Sequence, residues 1–222
     1  MTSKAERFAA LQAARAGALA ARLDRLLVLR GDERALDVGT GTGALAFALA
    51  PRVASVTAVD ADPAMIERAR ASAPANVEVT VADGERLPFA DASFDLAGTL
   101  RTLHHTARPD RLVADLARVV RPGGALLVAD QLAPAEPAGA ERLNRFEQAR
   151  DPSTTTVLGE AELRALLAAN GLTVEREELV REPRDLDAYL DLAGCEGAAR
   201  EHARSLAPPG YEALLGWFSL RK

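Results

Sequence analysis

The segment LDVGTGTGALAFALA, residues 36–50, constrains the fold of this chain more than any other feature. An apolar run is followed by glycines at positions 39, 41 and 43, and then by small and apolar residues. Glycine adopts backbone conformations that other residues avoid, and it lets a ligand come close to the backbone. The segment therefore predicts a strand, a glycine-rich ligand-binding loop and a helix.

Short apolar runs alternate with helical patterns along the rest of the chain. The predicted strands are residues 35–38, 53–59, 77–81, 94–99, 125–129, 172–180 and 216–220. Strands that alternate with helices favour a mostly parallel sheet with helices on both faces. The sequence therefore predicts an α/β fold.

The composition excludes several classes of protein. With 48% hydrophobic and 27% charged residues, the 222-residue chain is typical of a globular domain. The net charge of -5 argues against a nucleic-acid surface. The single cysteine, Cys195, allows no internal disulfide and no cysteine-based metal site, and no apolar stretch is long enough to span a bilayer. We expect a cytoplasmic protein without a metal, a monomer or a homodimer.

Two ligands suit a glycine loop of this kind. Gly39, Gly41 and Ala44 match the dinucleotide fingerprint with alanine in third place. However, Asp37 precedes the loop, and a carboxylate there would repel a pyrophosphate. S-adenosylmethionine carries an ammonium and a sulfonium instead, so an acidic neighbour favours it. Asp37 alone is also compatible with capping a helix or pairing with an arginine.

Two further acidic residues follow predicted strands. Asp60 ends the second strand, where a carboxylate can accept both hydroxyls of a ribose. Asp83 and Gly84 follow the third strand, where they can bind the amine and a ring nitrogen of adenine. Structural alternatives remain open: Asp60 could cap the helix that begins at Pro63, and Asp83 could be a turn residue.

Five motifs follow one another in the order LDVGTGTG, VDADPAMIERA, ADGERLPFADASFD, LHH and LARVVRPGG. Over about residues 30–130 this series resembles the class I S-adenosylmethionine-dependent methyltransferases. The similarity is greatest to the small-molecule branch that includes ubiquinone/menaquinone methyltransferase-like proteins. The resemblance implies a Rossmann-like, seven-stranded, mostly parallel sheet with helices on both faces. It also implies an antiparallel last strand and small helical cap inserts.

The resemblance also implies a set of cofactor contacts, with S-adenosylhomocysteine as the product. They are Asp37, Gly39, Gly41 and Gly43 at the methionine moiety, Asp60 at the ribose, Ala61 and Met65 near the adenine, and Asp83 and Gly84 at the adenine, with Thr40 and Thr99 completing the set. Met65 is equally compatible with a place in the core.

Methyl transfer is an in-line displacement that depends mainly on alignment, and it needs a base only when the acceptor must lose a proton. His104 and His105 follow the fourth strand and are the candidate bases; loop packing is the alternative role. Arg101 is a candidate to hold a carboxylate of the substrate or cofactor, or it pairs with Asp95 or Asp110.

We expect one methyltransferase domain over residues 1–222. Its core would comprise about residues 30–130 and 160–222, and its cap about residues 1–29, 131–158 and 182–209. Substrate choice should depend on the cap, where Phe146 and Tyr189 are candidate pocket residues. The alternative is that these two residues pack the cap helices onto the sheet.

The leading hypothesis is methyl transfer from S-adenosylmethionine to a small-molecule acceptor. An NAD(P)-dependent oxidoreductase is an alternative, although Asp37 and the absence of a Tyr-x-x-x-Lys element count against it. A non-methylating S-adenosylmethionine-binding protein is another. An RNA or protein methyltransferase is disfavoured by the acidic balance and by the sequence TLRT, in place of an Asn-Pro-Pro-Tyr-type step, after the fourth strand.

Overall fold

A computed structural model describes residues 3–208 and 210–222. The seven strands are β1 (Arg34–Val38), β2 (Ser55–Asp60), β3 (Val77–Val81), β4 (Phe94–Leu100), β5 (Val120–Leu132), β6 (Thr173–Pro183) and β7 (Glu212–Arg221). The helices are α1 (Lys4–Leu26), α2 (Ala44–Leu49), α3 (Pro63–Arg70), α4 (Pro109–Val119), α5 (Pro137–Arg150), α6 (Glu160–Ala169), α7 (Leu186–Ala193) and α8 (Gly197–Leu206).

All seven strands belong to one sheet, in the order β3-β2-β1-β4-β5-β7-β6. The pairs among β1 to β5 are parallel, whereas β7 runs antiparallel to both of its neighbours, β5 and β6. The predicted Rossmann-like sheet with an antiparallel last strand is thus confirmed. The last strand lies inside the sheet, between β5 and β6.

Strands β5, β6 and β7 each extend at least three residues past a predicted end, β7 because it begins at Glu212 rather than at residue 216. β5 was expected over residues 125–129 but begins at Val120, because the Arg121-Pro122-Gly123-Gly124 segment continues the strand through an irregularity in its pairing with β4. β6 extends to Pro183 rather than residue 180, because its ladder with β7 continues to the Pro183–Glu212 pair. The predicted cap insert at 182–209 therefore starts only after this ladder ends.

Hydrophobic side chains cover both faces of the sheet. On one face, α4 buries Leu112, Val113 and Leu116, whose spacing of one, three and four residues forms a single apolar stripe. On the other face, the side chains of α1, α2 and α3 include Leu23, Leu45 and Ile66. This two-sided burial is what makes the central strands almost continuously apolar.

A third apolar cluster joins α5, α7 and α8 to the start of β7. Its members include Phe146, Leu190, Ala203 and Tyr211. The cluster holds these elements as a cap beside the carboxyl edge of the sheet.

Strands β1 to β4 all end at this edge, and the strand order reverses between β1 and β4. Ligands bind at such a reversal in open α/β sheets. Within the described part of the chain, no helix combines the length and the apolar character that a membrane crossing requires.

Candidate active site

A cavity of about 1510 Å³ opens at the reversal of strand order. The glycine loop, α1, α3, the segments after β3 and β4, and the end of β6 line it. Most of the predicted site residues lie on its wall: Asp37, Gly39, Thr40, Gly41, Asp60, Ala61, Met65, Asp83, Gly84, Arg101 and His105.

Five predicted site residues lie outside this wall. Gly43 ends the glycine loop as the N-cap of α2, and Thr99 is fully buried in β4. His104, Phe146 and Tyr189 lie behind the cavity or within the cap. These residues can shape the site but do not form its surface.

Two glycines show why the loop needs residues without a side chain. Gly39 has a φ of +72°, and a Cβ there would lie 2.2 Å from side-chain atoms of Thr102. Gly41 has a φ of +54°, yet a Cβ there would meet nothing within 4 Å. Because Gly41 lines the cavity, the space beside it belongs to the cavity and is open to a ligand.

Asp60 holds the glycine loop in place. Its Oδ2 accepts from the N–H of Gly41 at 2.8 Å, and its Oδ1 accepts from the N–H of Asp62 at 2.9 Å. The alternative that Asp60 caps α3 is wrong, because Asp62 is the cap and accepts from the N–H of Ala64 at 2.8 Å. Burial raises the pKa of Asp60. Each oxygen keeps a lone pair for a ligand hydroxyl.

Asp37 is fully buried beneath the loop, yet it borders the cavity. Its Oδ2 accepts from the N–H of Ala46 in the first turn of α2 at 3.0 Å, so the helix-capping alternative is correct for this oxygen. Its Oδ1 has no partner of hydrogen-bond geometry in the described part of the chain, although the buried hydroxyl of Thr40 lies close enough to stabilise the charged carboxylate. Burial raises the pKa of Asp37 to about 7. A cationic ligand group would satisfy both the free oxygen and the charge.

Asp83 follows β3 and is exposed toward the cavity. Its Oδ1 accepts from the N–H of Glu85 at 2.9 Å, so the predicted turn role is also present. Among the described residues, its other oxygen has no hydrogen-bond partner, so it is available to a ligand amine. Met65, on α3, is half-buried and lines the cavity beside Ala61.

His105 lines the cavity, and its ring is held from behind. Its Nδ1 lies 3.0 Å from Oγ of Ser153, and that hydroxyl donates to Oδ1 of Asp151 at 2.7 Å. Burial, together with the neighbouring His104 ring, lowers the pKa of His105 to about 4. His105 is therefore a neutral imidazole at neutral pH.

His104 has a different environment. Its Nδ1 lies 2.5 Å from Oδ1 of Asp130, and its ring centroid lies 4.1 Å from that of His105. His104 is not on the cavity wall, so it supports the ring of His105 rather than meeting a ligand. The loop-packing alternative thus describes His104 well.

Arg101 immediately follows β4 and has a φ of +57°. Its N–H donates to the carbonyl of Ala129 at 2.7 Å, and its guanidinium donates to Oε2 of Glu182 at 3.1 Å. The suggested pairs with Asp95 and Asp110 are wrong, because those carboxylates bind Arg121 and Arg108 instead.

The expectation that Phe146 and Tyr189 line a substrate pocket needs correction. Phe146 is fully buried in the cap cluster, and Tyr189 donates to the buried carboxylate of Glu147 at 3.1 Å. Gln131 and Tyr211 donate to the same carboxylate. The packing alternative therefore describes both residues.

Three contacts of the site could not be predicted from the sequence. Ser153 reaches His105, Glu182 reaches Arg101, and the hydroxyl of Thr42 donates to Oε1 of Gln12 at 2.6 Å, which ties α1 to the glycine loop. Each joins segments that are far apart in the chain, so local motifs carry no sign of them. Among the described residues, no cluster of three or more His, Cys, Asp or Glu side chains could hold a metal ion.

Comparisons with known proteins agree with this geometry. A family model described as a methyltransferase domain matches residues 36–128. An uncharacterized methyltransferase of Bacillus subtilis is 32% identical over 169 residues, which span 74% of this chain and 67% of that protein. The 27-O-demethylrifamycin SV methyltransferase of Amycolatopsis mediterranei is 32% identical over 205 residues, which span 89% of this chain and 75% of that protein.

A crystal structure from Bacillus halodurans, described as a methyltransferase, superposes with a TM-score of 0.84 at 25% identity. The superposition covers 91% of this chain and 98% of the other. The similarity thus extends beyond the glycine loop to the whole sheet, and it favours methyl transfer over the nicotinamide-dependent alternative. The chain therefore belongs to the class I S-adenosylmethionine-dependent methyltransferases.

Proposed function

We propose that this protein transfers the methyl group of S-adenosylmethionine to a small-molecule acceptor bound in the same cavity. The observation that carries this proposal is the continuity of one cavity from the glycine loop to Arg101 and His105. At about 1510 Å³ it exceeds the roughly 300–1,000 Å³ of a typical ligand pocket. It therefore has room for the cofactor and for an acceptor beside it. Because α1 forms one wall, the acceptor space suits a small molecule better than a polymer.

The acidic side chains at the glycine-loop end fit the cofactor. Asp37 would accept from the ammonium group, Asp60 from the ribose hydroxyls and Asp83 from the adenine amine. The remaining proposed contacts are Gly39, Thr40, Gly41, Ala61, Met65 and Gly84, with Gly43 and Thr99 supporting the site. When bound, S-adenosylmethionine supplies a methyl carbon that its sulfonium has already activated.

The protein's main contribution would be alignment of the acceptor with this carbon, which can be worth about 7–11 kcal/mol. Where the acceptor is a hydroxyl or phenol, His105 would accept its proton. A neutral imidazole is ready for this at neutral pH. A low pKa suffices because the acceptor oxygen becomes strongly acidic as the methyl group arrives.

We infer that residues 1–222 act as one methyltransferase domain. The single sheet draws strands from residue 34 to residue 221, and the cap elements pack directly against it. In this arrangement α1 and the segment 151–158 would select the acceptor, because both contribute to the cavity wall, whereas α5, α7 and α8 do not reach it.

Calorimetric titration with S-adenosylhomocysteine, with NADH and NADPH in parallel, tests the cofactor assignment. A labelled-methyl transfer assay with phenols, hydroxylated polyketides and quinols then tests the acceptor class. Binding of S-adenosylhomocysteine alone, together with label in a small-molecule product, is the expected result. Label found only in RNA or protein would contradict the proposal, and so would cofactor binding without transfer to any acceptor.

A further inference from the structure

Three arginines share one carboxylate beside the cavity, whose wall includes Arg15, Arg101 and Glu182 but not Arg184. Oε2 of Glu182, at the end of β6, lies 3.1 Å from Arg101, 3.3 Å from Arg184 and 3.4 Å from Arg15. We call these four residues the arginine cluster. Three positive charges face one negative charge, so the cluster carries an excess of positive charge.

This excess is partly removed from water. Only 6% of the Arg184 side chain is exposed, and its buried Nε has no hydrogen-bond partner among the described residues. Burial and the charge of Arg184 both lower the pKa of Arg101, which is a sign of insufficient compensating charge. Guanidinium groups nevertheless stay protonated in proteins, so the positive charge remains.

Arg101 is held in the cavity by an uncommon backbone conformation. Its φ of +57° lies in the left-handed region, which a residue with a side chain rarely adopts. The next residue, Thr102, donates from its hydroxyl to the carbonyl of Gly39 at 3.2 Å. The cluster therefore adjoins the glycine loop and lies within reach of a small acceptor bound beside the cofactor.

The cavity wall thus carries charges of both signs. Carboxylates of Asp37, Asp60 and Asp83 line it around the glycine loop, where a cationic ligand fits. Arg15 and Arg101 line it beside Glu182, and the other arginines on the wall include Arg22 and Arg52, which pair with Glu178 and Asp24. Guanidinium groups form paired hydrogen bonds with carboxylates, a geometry that gives both strength and selectivity.

We propose that the arginine cluster binds a carboxylate of the methyl acceptor, which makes carboxylated small molecules the substrate class. This inference rests on the proposed function. Glu182 occupies the guanidinium groups before the acceptor arrives, and the acceptor's carboxylate takes its place on Arg101 and Arg15. Glu182 therefore limits how tightly an anion binds, and it keeps the cluster ordered between turnovers.

Calorimetry with benzoate and its uncharged counterpart benzamide tests the proposal on protein saturated with S-adenosylhomocysteine. Benzoate should bind at least about tenfold more tightly than benzamide, because only benzoate offers a charge to the arginines. Arg101→Gln should abolish this difference. Glu182→Gln should strengthen benzoate binding by about tenfold, since it removes the competing carboxylate.

Arg164→Gln is the matched control, because Arg164 binds Glu160 and Glu177 on the surface, away from the cavity. It should leave the binding of both probes unchanged. Thermal unfolding of each variant checks that the fold is intact. The opposite responses of Arg101→Gln and Glu182→Gln cannot both come from a loss of structure.

Equal binding of benzoate and benzamide would overturn the proposal. A second result would also overturn it: Arg101→Gln weakens S-adenosylhomocysteine binding, and the wild type does not discriminate between the two probes. The cluster would then bind the carboxylate of the cofactor rather than that of the acceptor. Methyl transfer only to neutral acceptors would leave the proposed function intact while this inference fails. If S-adenosylhomocysteine did not bind to the wild type, the proposed function itself would be contradicted.

Discussion

The hydroxyl of Ser153 donates to Oδ1 of Asp151, and it therefore accepts from Nδ1 of His105, 3.0 Å away. A hydroxyl has one hydrogen, so its two contacts must have opposite polarity. This arrangement selects the tautomer of His105 with the proton on Nδ1. Nε2 is left as the basic nitrogen of a side chain on the cavity wall.

Ser153→Ala tests this tautomer selection. The variant should lower kcat for a hydroxyl acceptor by about threefold to tenfold, the effect of one lost hydrogen bond. KM and S-adenosylhomocysteine affinity should change little, because the serine only positions the ring. Ser153→Thr, which keeps a hydroxyl, should recover part of the rate. Ser205→Ala is the control, because that exposed hydroxyl donates to the carbonyl of His202 and does not line the cavity. Equal kcat in Ser153→Ala and wild type would contradict the assignment.

His105→Ala should lower kcat for acceptors that must lose a proton by about 10²–10⁴-fold, the usual contribution of a general base. In the wild type, burial lowers the pKa of His105 to about 4. Activity should therefore be independent of His105 titration at neutral pH and should fall only as the pH drops through about 4. The measurement is kcat against pH with one phenolic acceptor. Full activity of the variant would reduce this histidine to a packing role.

Asp37→Asn should weaken S-adenosylhomocysteine binding at pH 8 by about tenfold or more, since it removes the charge that faces the ammonium. In the wild type, affinity should fall as the pH drops below about 7, where this buried carboxyl takes up a proton. The variant should show a flat profile. Calorimetry between pH 6 and 8 distinguishes the two, and parallel profiles would contradict the role of Asp37.

The same substitution should change stability in the opposite direction. Burial raises the pKa of this carboxyl, so the folded state holds its proton more tightly than the unfolded state does. The free energy of unfolding of the wild type therefore falls as the pH rises from about 4 to about 7. The free energy of unfolding of Asp37→Asn without ligand should therefore exceed that of the wild type at pH 8. The difference should shrink as the pH falls from 7 toward 4. Urea unfolding at pH 8 and pH 5 gives both values.

Asp60→Ala and Asp83→Ala should each weaken S-adenosylhomocysteine binding. Each loses hydrogen bonds worth about 0.5–1.5 kcal/mol, and a charged acceptor raises that value. Asp60→Ala should have the larger effect, because it also releases the N–H of Gly41 from its anchor. Asp91→Ala, whose carboxylate is exposed and pairs with Arg118, is the matched control. Unchanged affinity in both site variants would refute the cofactor assignment.

Phe146→Ala should lower the free energy of unfolding by about 3–5 kcal/mol, the usual effect of removing a buried aromatic side chain. Phe146→Leu should cost much less. KM for the acceptor, measured on the folded fraction at low temperature, should change little, because Phe146 is not on the cavity wall. A large change in KM with unchanged stability would restore Phe146 as a substrate contact.

The sequence predicted those parts of the molecule that depend on local patterns. Asp37 and Asp60 lie at strand ends, and parallel strands bring their carboxyl ends to one edge, so their meeting at the cavity followed from the strand assignments. The pairing of Arg101 with Glu182 did not follow, because it depends on how far β6 extends. For Phe146 the sequence left a pocket role and a packing role open, because an apolar side chain in a cap segment can face a ligand or the cap's own core. Only the packing of α5 against α8 and β7 decides which.

The antiparallel pairing of β6 with β7 has a consequence for the segment that joins these two strands. The two strands are joined by the segment 184–211. The N–H of Arg184 donates a hydrogen bond to the carbonyl of Tyr211 at 3.1 Å, which holds the two ends of the segment together. The segment leaves and re-enters the sheet at adjacent points, so its length can change without altering the register of any strand. Changes in this segment therefore leave the strand ends of β1 to β4 in place, and they reach the cavity only through the adjoining residues Arg181, Glu182 and Pro183.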